Sequence, residues 1–128
     1  MDRDQAVARA RAMLGTRFRF QGRDADGLDC VGLIAHAYQQ TDIPADYALR
    51  STDIERWSAY LDTRFDRCRQ PLEPGDIVLM QAGPALLHLG LWAGASLIHA
   101  DGRLRRVVET PGPLGWPIVG QWQMRKDS

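Results

Sequence analysis

Several things are scarce in this chain, and each shortage excludes something. No apolar run approaches the roughly 20 residues needed to cross a bilayer as a helix. The opening Met1-Asp2-Arg3-Asp4-Gln5 is polar and lacks the apolar stretch of a secretory leader, so the expected site of synthesis is the cytoplasm. Neither sign of charge is in excess: 16 basic and 16 acidic side chains give a formal net charge of zero. That balance leaves no electrostatic footprint for nucleic acid or an anionic membrane. With only two cysteines, Cys30 and Cys68, no disulfide framework is available, and both are read as free thiols. Neither belongs to a Cys-x-x-Cys pair, and the histidines lack His-x₃₋₅-His spacing, so no zinc site is indicated and no metal is expected. Internal repeats and low-complexity segments are also missing.

What remains is the composition of an ordinary soluble globular protein, 45% hydrophobic and 25% charged over 128 residues. That length suits one domain, residues 1–128. Helical spacing of Ala6, Val7, Ala10, Met13 and Leu14 predicts a first helix over residues 2–14, stopped at Gly15. A loop with three glycines leads to Asp29, an N-cap candidate for a second helix over residues 30–40. Thr52-Asp53-Ile54-Glu55 matches a capping box, with Ile54, Trp57 and Leu61 on one face of a third helix. After the break at Pro74-Gly75, strands are expected at 76–80, 86–92, 96–100, 104–109 and 118–123, with Gly94-Ala95-Ser96 and Asp101-Gly102 as turns. Helices ahead of consecutive hairpins indicate an α+β fold, the helices packed on an antiparallel sheet.

The chemistry concentrates at Cys30. A thiol in the first turn of a helix feels the partial positive charge of unpaired N–H groups, which favours the nucleophilic thiolate. His88 and His99 sit on strands joined by a short turn, so they can be neighbours, although the sequence leaves the register open. As neighbours, one ring accepts the thiol proton and the other holds that ring's tautomer, while the backbone N–H of Cys30 is a candidate oxyanion donor. Plainer readings stand beside these. A cysteine after a loop is more often a small core residue than a nucleophile, and a histidine in an apolar strand is more often packed than reactive. His36 lies about 240° around the helix from Cys30 and reads as structural or exposed. Cys68 reads as a bystander, and Arg23, Asp24 and Asp26 as a solvated loop. Trp116 is expected to flank the site and Trp92 to belong to the core.

Four blocks carry a resemblance. Leu14-Gly15-Thr16-Arg17-Phe18-Arg19-Phe20-Gln21-Gly22, then Asp29-Cys30-Val31-Gly32-Leu33, resembles the N-terminal signature of the NlpC/P60 cysteine peptidases. Leu72-Glu73-Pro74-Gly75-Asp76-Ile77-Val78 is similar to the family's Pro-Gly-Asp block. His88-Leu89-Gly90-Leu91-Trp92 and Leu97-Ile98-His99-Ala100 resemble its two histidine blocks. The short format is similar to members encoded among bacteriophage-tail or gene-transfer-agent genes.

The resemblance implies a papain-like fold and a thiol protease acting in cell wall degradation. Its substrate would be the peptidoglycan stem peptide, cut between D-glutamate and a diamino acid such as meso-diaminopimelate. Cys30 would be nucleophile, His88 general base and His99 its orienting partner, with no cofactor; Asp29 and Phe18 would contact substrate, Asp29 equally suiting a helix cap. Phage tail proteins are the implied partners, with action at the cell wall from a virion tail. One departure stands out: Phe18 and Phe20 occupy the block where many members have tyrosine, and Arg17 the place of a frequent proline. A lost hydroxyl donor costs on the order of 100-fold in rate where it binds the oxyanion. An amidase or acyltransferase on the same fold, or a non-catalytic component binding peptidoglycan or a partner, are the competing expectations.

Overall fold

The computed structural model describes residues 2–41 and 53–125. Three helices, α1 (Arg3–Arg11), α2 (Cys30–Ala37) and α3 (Ile54–Asp62), accompany eight strands. A small hairpin, β1 (Arg23–Asp24) and β2 (Gly27–Leu28), precedes α2. The main sheet contains β3 (Asp66–Arg67), β4 (Ile77–Gly83), β5 (Leu86–Trp92), β6 (Ser96–Asp101), β7 (Arg106–Pro111) and β8 (Ile118–Gln123). Its six strands run in the order β3-β8-β4-β5-β6-β7, every neighbouring pair antiparallel. This is the expected α+β architecture.

Strand alternation decides what each face of the sheet meets. Ile77, Leu79, Leu89, Leu91, Ile98 and Trp122 point to the helical side and join Ala6, Ala10, Leu33, Ile34, Trp57 and Leu61 in the main core. Val78, Met80 and Leu97 point the other way, under Leu72, Trp92, Leu114 and Trp116. Trp92 and Trp116 thus cover the sheet's second face.

Helix ends fall where local chemistry puts them. Asp2 and Gln5 form a reciprocal capping box on α1. That helix stops at Arg11, three residues short of the periodicity, because Gly15 turns the chain at φ +86°. Leu14, expected on the helix's apolar face, is exposed instead. In α2 the Asp29 cap is as expected, but the helix ends at Ala37, with Gln39 already at φ +55°. Asp53, not the anticipated Thr52, caps α3 by accepting from Arg56 N at 3.0 Å; Thr52 lies outside the described residues. Strands β5 and β8 have the expected bounds, β4 runs on to Gly83 and β6 to Asp101. The next strand begins at Arg106, because the turn is wider than a two-residue Asp-Gly hairpin. Asp101 Oδ1 accepts from both Arg103 N and Leu104 N, and Arg105 takes φ +62°.

Two clamps, one polar and one steric, fix the helices to this frame. Arg3 of α1 pairs with the buried Asp76 at 2.6 Å and donates to Gln123 Oε1 at 2.7 Å. Asp76 Oδ2 also accepts from Glu73 N and Gln121 Nε2, each at 3.0 Å. The second clamp is steric. A Cβ on Gly32, in the first turn of α2, would lie 2.0 Å from the carbonyl oxygen of Gly22. Only glycine lets the loop lie against the helix there. Gly32→Ala should therefore lower unfolding free energy by about 1–3 kcal/mol in urea titration, although alanine is the better helix former. Equal or higher stability would mean that the loop is not held against α2.

Candidate active site

The first turn of α2 is built on Asp29, which is fully buried. Its Oδ1 accepts from Gly32 N at 2.8 Å and from Arg23 Nη1 at 3.3 Å, and its Oδ2 from Gln21 N at 2.7 Å. The carboxylate is therefore committed to joining the loop to the helix. It does not line the cleft, so the geometry favours the cap over the substrate contact.

Next to it, Cys30 is 1% exposed. The expectation of a thiolate is overturned: burial pushes the thiol up to about 12, and the neighbouring Asp29 charge adds to that. Backbone N–H groups of Leu89, Val31 and Cys30 pull the other way without winning. The helix N-terminus acts as the sequence implied, but loss of water from the sulfur is the larger effect.

The register settles the histidines. Leu91 pairs with Ile98 and Trp92 with Leu97, which sets His99 one step on, across from Gly90, and makes His88 its diagonal neighbour on the same face. His88 Nε2 and His99 Nδ1 are 2.9 Å apart, with the rings nearly perpendicular at 85°. Behind them His99 Nε2 meets Thr110 Oγ1 at 2.7 Å. With Nε2 so occupied, Nδ1 of His88 is the ring nitrogen without a partner among the described residues. Burial, then the His99 charge, pushes His88 down to about 4, against the opposing pull of Asp101. Burial likewise lowers His99. Both rings are neutral at pH 7.

A cleft of about 580 Å³ is lined by Phe18, Cys30, His88, Asp101, Arg103 and Trp116, among others. Trp116 stands edge-on to both imidazoles, its centroid 5.4 Å from His88 and 5.7 Å from His99. Phe18 reaches the cleft over Gly102, while Phe20 is exposed. His36 does not line it, and neither does Cys68, a free thiol held against β8 through Cys68 N and Gln121 O. Arg23 is drawn into the Asp29 cluster, and Arg17 Nε donates to Asp26 O at 2.7 Å, so the loop is tied more tightly than expected. Among the described residues no three His, Cys, Asp or Glu side chains converge as a metal site. Sequence reasoning missed Thr110 and Asp101. Both follow from register, since His99 pairs with Val108 and Thr110 lies two residues on, on the same face.

A model of the NlpC/P60 family matches residues 15–112. Among solved structures, the fold is similar to NlpC1 from Trichomonas vaginalis (TM-score 0.73, 23% identity, 96% of this chain and 44% of that one). It is similar to the NlpC/p60 domain of the peptidoglycan hydrolase SagA (TM-score 0.71, 19% identity, 97% of this chain and 100% of that one). It is also similar to RipD from Mycobacterium tuberculosis, described as a non-catalytic NlpC/p60 domain protein adapted to peptidoglycan binding (TM-score 0.64, 18% identity, 97% and 96%). The chain spans less than half the length of the Trichomonas proteins NlpC1 and NlpC2. No curated protein matches it by sequence.

The neutral thiol has a direct readout. In Cys68→Ser protein, iodoacetamide alkylation of Cys30 should be slow at pH 7 and rise about tenfold per pH unit through pH 9.5 without levelling. A plateau below pH 8 would mean a preformed thiolate.

Proposed function

The chain belongs to the NlpC/P60 family, and on that premise we propose that it is a cysteine peptidase cutting peptidoglycan stem peptides at the D-glutamyl–diamino acid bond. The observation that carries this reading is the shared cleft: Cys30 at the head of α2 and His88 line it together, with His99 hydrogen-bonded behind His88.

In this mechanism Cys30 is the nucleophile. Because thiol and imidazole are both neutral at rest, His88 takes the thiol proton as the sulfur attacks the scissile carbonyl carbon, and no ion pair waits in the free protein. The oxyanion of the tetrahedral intermediate is met by first-turn N–H groups of α2, that of Cys30 foremost. His88 then gives its proton to the leaving amine as the C–N bond breaks. In the second half His88 removes a proton from water, which attacks the thioester, and returns it to the sulfur. His99 holds the His88 tautomer through Nδ1, and Thr110 holds His99. Phe18 contributes a wall of the cleft but no hydroxyl. Asp29 acts by holding the first turn in place.

A peptidoglycan-binding role without catalysis is the second reading. It is favoured by the buried neutral thiol and by Phe18 in place of tyrosine, and RipD is a structural neighbour of that kind.

Mass spectrometry of muropeptides separates the two. The wild-type protein should release a product cut at the D-glutamyl–diamino acid bond, and Cys30→Ala none. His99→Ala should lower kcat by about 10- to 1,000-fold with the fold intact, and Phe18→Tyr should raise it. Muropeptide binding without cleavage would establish the second reading instead.

A further inference from the structure

The turn between β6 and β7 brings two opposite charges to the cleft that none of the steps above uses. Asp101 and Arg103 line it together with Cys30 and His88. Both also line a smaller, mainly apolar pocket of about 280 Å³, and Trp116 is common to the two. The same register that pairs His88 diagonally with His99, carried on, sets Asp101 across from His88.

The carboxylate is anchored but only half used. Its Oδ1 takes the turn's N–H groups, from Arg103 at 2.8 Å and Leu104 at 3.1 Å. Among the described residues none donates to Oδ2. Burial works against its charge, but those two N–H groups and the neighbouring histidines hold it below the usual carboxylate range, so it is ionised at neutral pH. The guanidinium of Arg103 is exposed and, among the described residues, forms no ion pair or hydrogen bond, Asp101 included. Two opposite charges two residues apart on one turn would ordinarily satisfy each other. Here the backbone occupies one carboxylate oxygen and both charged ends stay available at the wall of the cleft.

We infer that Asp101 and Arg103 form a subsite for a zwitterionic amino-acid centre, the carboxylate taking its ammonium and the guanidinium its carboxylate. The inference rests on the proposed hydrolase reading for the identity of the substrate. In a stem peptide, diaminopimelate carries such a centre at its side-chain end. Lysine carries only the ammonium there. The subsite therefore selects diaminopimelate over lysine, and Arg103 supplies the difference, since the substrate carboxylate is what lysine lacks. A charge-assisted, bidentate contact at a partly exposed rim corresponds to about a tenfold preference.

The test uses two tripeptides, L-Ala-γ-D-Glu-meso-diaminopimelate and L-Ala-γ-D-Glu-L-Lys, with two readouts. Turnover gives kcat/KM for the wild type, and calorimetry gives Kd with Cys30→Ala protein. Both should favour the diaminopimelate peptide about tenfold. Adding Arg103→Ala should bring the two peptides to similar values, with Arg103→Lys recovering part of the preference. Asp101→Asn, which keeps an oxygen for the turn, should weaken both peptides. If the preference survives Arg103→Ala in both readouts, or never appears, the subsite is wrong whether or not the peptides are cut. If calorimetry shows the Arg103-dependent preference and no peptide is cut, the subsite stands and the hydrolase reading fails.

Discussion

A buried carboxylate holds the site together. Asp29 takes one N–H from the first turn of α2, one from the preceding loop at Gln21, and the guanidinium of Arg23. Because Asp29 is fully buried, removing its carboxylate would take a partner from each of those donors, and an unmade buried hydrogen bond is costlier than a made one is stabilising. The cap thereby fixes three things at once: where α2 begins, where the Cys30 sulfur sits, and how the loop bearing Phe18 approaches the cleft. Glycine at positions 22 and 32 makes the contact close enough to work.

The same burial that gives this rigidity sets the protonation state. A helix N-terminus and three backbone N–H groups favour thiolate, yet desolvation and the adjacent Asp29 charge outweigh them. The histidines obey the same rule, kept neutral by enclosure despite the nearby Asp101. In the proposed mechanism, a site with both partners uncharged makes proton transfer part of the attack itself.

Tertiary context redistributed several features that local pattern had suggested. Leu14 fits a helical stripe but falls past the point where Gly15 turns the chain, so it lies in solvent. Asp101-Gly102 has the composition of a two-residue hairpin. Instead the aspartate side chain caps a wider turn, which is what carries Arg103 to the cleft. Thr110 carries no signal of its own in a Pro- and Gly-rich stretch, and only strand pairing puts its hydroxyl on His99.

By itself the sequence determined the α+β class, the extents of β5 and β8, the Asp29 cap and the family, because these depend on local periodicity, capping chemistry and motif order. Tertiary structure decided the rest. The neighbourhood of His88 and His99 depends on a register that a one-residue slip would invert, and no local residue encodes it. The protonation of Cys30 depends on how much water the folded chain excludes from the sulfur, a property of everything packed around it. The engagement of the Asp29 carboxylate likewise depends on the folded loop, which brings Gln21 N and the Arg23 guanidinium to it beside Gly32 N.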